Sequence, residues 1–374
     1  MKNLVVKQHI SFLLFLSVSF LFLYKYLDRY TEYAGVFSAF FCGVYILFWK
    51  KKEWFRIIPT YVELVLMVGF VLVSFLMWKK FPVETLNVDR WSVISSFWDS
   101  YFRGEYAYFA KSNVANPPGP MPFYFLLALP FYLFGELGVL AVMGVLLMYG
   151  LLLLLRVQKE IRMLILLLMI SSGFTIWEVI SRSNIFLNTV LVLASLLYIL
   201  GRKEFNLSSV LISGIMVGLL VSTRNVFVIS YMICFLFLWR TGVIKFKQLV
   251  LLGGIGLIVF GLTFIPIVYG HWDDFERMNP FIVQSTFLIP FEYTLFFAGL
   301  AVTTSFLCKF RNDVYFYNAL VLFVSILIYM LYHIYNSGFY DAFTGSTVDI
   351  SYFIFCIPFA LWMLTVENTK SLSE

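Results

Sequence analysis

The sequence predicts an all-α, polytopic membrane protein with about twelve transmembrane helices. Three observations predict it. Of the 374 residues, 61% are hydrophobic and only 13% are charged. That is about half the charge of a soluble domain, too little polar surface to cover this chain in water. The apolar runs are continuous and approach or exceed about 18 residues, enough to cross ~30 Å of hydrocarbon, whereas a membrane barrel would show short alternating segments. The Lys and Arg residues fall in short clusters between those runs, as the positive-inside bias of membrane helices requires.

Taken in order, the spans read as 10–25, 33–49, 58–78, 137–155, 162–177, 184–200, 208–222, 225–239, 248–269, 288–308, 315–335 and 349–366. The first has a basic flank and an apolar core but no small-residue cleavage site before Lys25, so it reads as a retained span. The run 121–135 is short and contains Pro130, which suits a re-entrant or oblique helix that returns to its starting side. With that choice, Lys50-Lys51-Lys52 with Arg56, Arg156 with Lys159 and Arg162, Arg202-Lys203, Arg240 with Lys245 and Lys247, and Lys309 with Arg311 all share one side. The expectation is a single integral membrane domain over 1–374, with both termini cytoplasmic. The tail ENTKSLSE ends inside, and Lys79-Lys80 is the one basic cluster on the outer side.

Composition narrows the partners further. The net charge of +6 comes from those short turns and not from an aromatic-interleaved basic patch, so nucleic acid is excluded as a partner and membrane lipid is expected. Cys42, Cys234, Cys308 and Cys356 lie inside apolar runs with no disulfide framework or metal spacing. His9 and His333 read as interfacial or packing residues.

The inner connections are brief and basic, whereas the outer ones are longer and richer in Asp, Glu, Asn, Trp and Tyr. Sites are built on loops that a rigid scaffold holds, so the outer face is the expected working face. Its largest part is the extracytoplasmic loop 79–136. From Trp91 onward, Trp91, Ile94, Phe97, Trp98, Tyr101 and Phe102 recur at helical spacing, which predicts an interfacial helix that Gly104 stops. Asp89 just before it has two readings: a cap for the helix, or a general base at the membrane surface, paired with Arg90 or facing a polar cavity. Asp99 and Glu105 read as solvated. The stretch NPPGPMPFYF from Asn116 then makes a stiff ramp back into the membrane.

Asp89 after a span, an interfacial helix, the Gly-x-Tyr-x-Tyr of Gly104, Tyr106 and Tyr108, and Pro117-Pro118 before a short aromatic helix together resemble the membrane glycosyltransferases of the C-type fold. The nearest branch is the bacterial polyprenyl-phosphate-mannose-dependent mannosyltransferase-like one. The likeness covers about residues 80–136. It implies an inverting enzyme of envelope biogenesis that takes a sugar, a hexose or mannose, from a polyprenyl-phosphate donor to a glycan or lipid acceptor. It also implies that Asp89 is the essential Asp of the loop. The chain departs from that pattern in having no adjacent acidic pair at Asp89.

Such a donor needs an anion site beside an apolar groove. Arg90, Lys111, Arg182, Arg224 and Arg277 are the cations on that face, and Arg182 and Arg224 stand out because each interrupts an apolar stretch. They either grip phosphate or snorkel to the interface, and Glu178 four residues before Arg182 offers an i,i+4 pair that uses both charges. His271 heads an acidic loop with Asp273, Asp274 and Glu276, and either contacts the leaving phosphate or belongs to a solvated loop. Tyr106, Tyr108, Asn116, Glu178, Asn184 and Asn225 are the candidate sugar or acceptor contacts, with capping or interhelical bonds as the other reading of the asparagines. No cofactor is implied, and the His271 cluster matches no strong metal-ligand spacing, so no metal residues are assigned. The rival readings are a transporter or flippase for a lipid-linked precursor and a non-catalytic subunit of an envelope-assembly complex; a polysaccharide polymerase shares the same outline.

Overall fold

A computed structural model describes residues 2–287, 290–345 and 348–366; the tail ENTKSLSE lies outside them. Among the described residues the chain is helical, with no strand. The helices are α1 (Lys2–Leu27), α2 (Ala34–Lys50), α3 (Tyr61–Lys80), α4 (Arg90–Phe102), α5 (Pro122–Phe134), α6 (Val139–Leu154), α7 (Lys159–Ser171), α8 (Gly173–Ser181) and α9 (Ile185–Leu200). The second half holds α10 (Leu207–Val221), α11 (Phe227–Arg240), α12 (Phe246–Leu262), α13 (Ile265–Val268), α14 (Trp272–Arg277), α15 (Pro280–Phe287), α16 (Phe291–Leu307), α17 (Arg311–Ser337) and α18 (Ile357–Met363). A 3-10 turn over Ile350–Cys356 leads into α18.

Four helical stretches are long and apolar enough to cross a membrane: Asn3–Leu27, Tyr61–Lys80, Phe246–Val268 and Arg311–Ser337. The number rises to six if each of two bent pairs counts as one span. Ala34–Lys50, Ile185–Leu200, Leu207–Val221, Phe227–Arg240, Glu292–Leu307 and Ile350–Met363 are apolar but only 10–17 residues long. At ~1.5 Å per residue the longest of these reaches ~25 Å, at the lower limit of what crosses ~30 Å of hydrocarbon. The described helices thus carry four to six spans by length and composition, fewer than the apolar runs alone predict, because several runs fold as shorter or broken helices. Lipid-facing chemistry is plain on α3, where Leu64, Val65, Val68, Leu72 and Leu76 are exposed, and on α12, where Val250, Leu257, Ile258 and Leu262 are. Apolar area of that extent belongs against lipid or a partner rather than water.

α5 and α6 meet at a bend of 115°, and α7 and α8 at one of 54°. Gly135 makes the first bend possible by taking φ +86° after α5, a conformation that costs other residues energy. α10 lies directly on α12. A Cβ on Gly218 would sit 2.5 Å from the Gly256 carbonyl oxygen, so the close approach of these two helices depends on glycine.

Polar ties fix the two ends of the bundle. At one end Lys7 of α1 pairs with Asp313 of α17 at 2.6 Å, Arg56 with Glu160 at 3.0 Å, and Arg162 with Glu63 at 2.6 Å. Arg240 donates to the carbonyls of Phe306 and Cys308 there. α1, α3 and α17 each run away from that basic end. Toward their far ends α3 meets α8, where Trp78 Nε1 donates to the Val179 carbonyl at 3.0 Å, and α17 meets the 3-10 turn before α18, where the Tyr329 and Tyr352 rings lie 6.3 Å apart.

Candidate functional site

Three segments meet at the far end: the start of α4, the first turn of α5, and the break between α10 and α11. Asp89 occupies the cap position of α4, with φ −94° and ψ 0°, and its side chain makes no capping bond. A side-chain cap needs extended backbone at that residue. The carboxylate turns instead to Asn116, whose amide donates to Oδ2 at 2.9 Å. Asn116 is held by a tight loop in which Ser112 N–H donates to the Asn116 carbonyl at 2.9 Å and Ser112 Oγ accepts from Asn116 N–H at 3.1 Å. Ala115 takes φ +63° to close this loop. Ser92 of α4 bonds Asn113 at 2.7 Å, which staples the loop to the helix.

α5 starts at Pro122, which has no N–H to leave unsatisfied. Its next two free donors, Phe123 N–H and Tyr124 N–H, go to Ser222 Oγ at 3.2 Å and to the Ser222 carbonyl at 3.3 Å. Ser222 Oγ also shares a 2.7 Å bond with Thr263. The break after α10 is therefore stitched onto α5, and Arg224 comes to rest on Tyr124. Its guanidinium lies 5.2 Å from the Tyr124 ring centre, 5.8 Å from Tyr352 and 5.9 Å from Phe355. Arg224 Nε and Nη2 are buried and hydrogen-bond to nothing among the described residues. Buried cationic donors of this kind are costly unless an acceptor meets them.

Arg90 forms the third side. It is ion-paired with Asp349, donates to Ser351 Oγ at 3.0 Å, and stacks 5.5 Å from Tyr352. Asp349 Oδ1 accepts from Ser351 N–H at 2.9 Å, which caps the 3-10 turn carrying Tyr352 and Phe355. Arg90 and Arg224 thus lie against the same Tyr352 ring, and Arg224 also lies against Tyr124. The result is one half-buried group: a carboxylate, a partly neutralised arginine, and an arginine in an aromatic cage with donors to spare.

The other sequence candidates lie elsewhere. Arg182 is only 2% exposed. α8 ends at Ser181 and Arg182 turns to φ +56°, so helical i,i+4 geometry with Glu178 is lost. Its guanidinium donates to the carbonyls of Phe81 at 2.8 Å, Ile180 at 2.6 Å and Trp78 at 3.2 Å, and lies 3.4 Å from Glu136. Glu178 caps the start of α9, accepting from Ser183 Oγ at 2.8 Å, Ile185 N–H at 2.9 Å and Phe186 N–H at 3.1 Å. Both are consumed in tying the ends of α3, α8 and α9 together. Asn184 is buried beside Asn188, whose amide donates to it at 3.3 Å. Asn225 is exposed next to Arg224.

Tyr106 and Tyr108 are packed rather than presented. Tyr106 donates to the Met278 carbonyl at 2.8 Å, and burial, with Asp274 nearby, pushes its hydroxyl above the ordinary range, so it stays a neutral donor. Tyr108 donates to the Pro120 carbonyl at 3.2 Å. His271 keeps to a separate group, 3.2 Å from Asp274 and 5.7 Å in ring centres from Tyr106. No cluster of three or more His, Cys, Asp or Glu that would suit a metal ion occurs among the described residues. On α4 the aromatic stripe is used internally: Phe97 stacks on Phe125 at 3.7 Å and Trp98 Nε1 donates to the Phe125 carbonyl at 3.1 Å. Phe102 at its end is exposed.

Tyr124, Tyr352, Phe355 and Asp349 belong to the site and were not singled out by sequence reasoning. The Asp-Ile-Ser spacing of a cap at 349–351 was the signal available for one of them. Set against protein-family models, curated proteins and solved structures, the chain matches none.

Proposed function

We propose that the chain is an inverting glycosyltransferase with about twelve membrane-crossing segments, working at the outer face of a bacterial inner membrane with a polyprenyl-phosphate sugar as donor. The observation that carries this reading is that Arg90, next to Asp89 in the chain, and Arg224 lie against the same Tyr352 ring, 5.5 and 5.8 Å from its centre, at the end of the bundle away from the basic turns. A lipid-phosphate sugar enters from the bilayer with its phosphate on Arg224, whose free donors suit an anionic oxygen, and Arg90 adds positive charge beside it. Asp89 takes the proton of the acceptor hydroxyl. The hydroxyl oxygen bonds to the sugar's anomeric carbon from the opposite side while the carbon–oxygen bond to phosphate breaks. That electron pair leaves on polyprenyl phosphate. Fixed cations stabilise this departing charge in a site that is partly shielded from water.

Arg182 is left out of phosphate binding in this reading, because Nη1 and Nη2 already donate to three carbonyls and Nε faces the Glu136 carboxylate 3.4 Å away. Its role is to hold the ends of α3 and α8 together.

The test is transfer of labelled sugar from a polyprenyl-phosphate hexose by protein reconstituted in nanodiscs, with and without Arg224→Gln. Losing a charged hydrogen-bonding partner of phosphate costs about 1.5–3 kcal/mol, so kcat/KM for donor is expected to fall ~10–100-fold. Unchanged donor kinetics in a folded R224Q protein would remove Arg224 from the site.

A further inference from the structure

A groove of about 650 Å³ runs between α1 and α2 at the basic end of the bundle. One stripe of α1 lines it, since Val5, Phe12, Leu13 and Leu16 recur at helical spacing. From Val5 to Leu16 it extends ~16 Å along the helix axis, about half the hydrocarbon thickness. Ile46 and Trp49 of α2 form the other wall. Phe12 stacks on Trp49 at 5.1 Å, and Cys42 Sγ lies 3.8 Å from the Leu16 carbonyl, which sets the two helices side by side.

Polarity changes along the groove. Lys50, Lys52, Gln8 and His9 line its basic end, and Leu13, Leu16 and Ile46 line the rest. Residues 50–56 carry Lys50, Lys51, Lys52 and Arg56 against one carboxylate, Glu53. Nearby carboxylates are engaged elsewhere, Glu160 by Arg56 and Asp313 by Lys7. Lys50 and Lys52 form no ion pair among the described residues. Lys52 rests 4.7 Å from the centre of the Trp49 ring, which keeps its charge at the rim without neutralising it. His9 Nδ1 is bonded to the Val5 carbonyl at 2.7 Å and its ring meets Trp49 edge-on at 6.2 Å, so this mouth is already formed.

A further helix or a lipid chain could each cover an apolar groove, and the charge decides between them. The cations stand at one end only, at the level of headgroups, where basic pockets between membrane helices take anionic lipid. An amphiphile with an acidic head and an apolar tail matches that division. The tail after Val366, whose carbonyl accepts from Gln8 at 2.7 Å, is polar in sequence, ENTKSLSE, and supplies no apolar run for the groove.

We propose that the groove holds one anionic phospholipid from the leaflet at the basic end. Its phosphate lies on Lys50 and Lys52, and an acyl chain lies against Leu13, Leu16 and Ile46. The site is separate from the Arg224 end and needs only that α1 stands in a membrane, whatever reaction the chain performs.

The experiment titrates the full-length protein in detergent with phosphatidylglycerol, phosphatidylcholine and glycerol phosphate, and follows the first bound molecule by native mass spectrometry. The proteins are wild type, Lys50→Gln with Lys52→Gln, Leu13→Trp, and Lys203→Gln as a control in another basic turn. Leu13 is 59% exposed, so the larger ring there fills the groove without entering the core. Wild type is expected to bind phosphatidylglycerol about ten-fold or more tightly than phosphatidylcholine, and glycerol phosphate not measurably. The double lysine variant is expected to lose most of that preference, L13W to bind phosphatidylglycerol several-fold more weakly, and K203Q to match wild type. Equal affinity for the two lipids, or a preference that the double lysine variant retains, overturns the site. Unchanged binding by L13W, or tight binding of glycerol phosphate, overturns the groove as the lipid's seat. A loss in K203Q as large as that in the double variant would show diffuse attraction to the whole basic end and overturns it as well.

Discussion

Asp89→Asn is expected to leave the protein folded and to lower sugar transfer by ~10²–10⁴-fold, the contribution of a positioned general base. The substitution keeps shape and volume and removes only the ability to take a proton. Asp89 caps nothing with its side chain, so α4 does not depend on its charge. Its one described partner is the Asn116 amide, at 2.9 Å from Oδ2. The loss should therefore appear in kcat, with donor KM near its wild-type value, since the proposed mechanism assigns the phosphate to Arg224 and not to Asp89. Measured rates within a few-fold of wild type would show that another group takes the proton.

Arg162→Met is expected to have the largest effect on stability. Glu63 is fully buried in the first turn of α3. Arg162 meets it with two bonds, Nε to Oε2 at 2.6 Å and Nη2 to Oε1 at 3.0 Å, and the Tyr149 hydroxyl adds a third at 2.5 Å. These bonds join α3, α6 and α7 at the basic end. Removing the arginine strands a carboxylate in a low-dielectric site, at a cost of about 3–5 kcal/mol. Replacing both partners, as in Glu63→Gln with Arg162→Met, removes the stranded charge and should restore much of that loss. Thermal unfolding in detergent measures both. Equal melting of wild type and R162M, or a double variant no better than the single one, would contradict this account of the junction.

The helical class was legible because apolar runs and basic turns are local features of the sequence. The number of spans was less so. A run such as 162–177 reads as one segment, yet the chain breaks at Ser172, whose Oγ accepts from Thr175 N–H at 3.4 Å and starts α8 in a new direction. Asp89, Arg90, Asn116 and Arg224 could each be picked out as polar residues at the ends of apolar runs. Their grouping could not, since it depends on Ser222 meeting the first turn of α5, a contact between residues about a hundred positions apart. Glu178 and Arg182 show the opposite problem. Their spacing suggests a pair on one helix, but the helix stops between them and each charge finds backbone groups from a different segment. The Glu63–Arg162 junction had no local signal, because only folding brings the two residues together.

We propose that the Arg224 end of the bundle faces outward and receives a lipid phosphate. Asn225, exposed beside it, reports on this when changed to Asn225→Cys in intact cells treated with a membrane-impermeant maleimide; Lys203→Cys, exposed in a basic turn, serves as the reference. The expected result is labelling of the residue-225 thiol from outside, blocked by added polyprenyl phosphate, and labelling of the residue-203 thiol only after permeabilisation, with no protection. A residue-225 thiol that reacts only after permeabilisation, or that polyprenyl phosphate does not shield, would contradict the account.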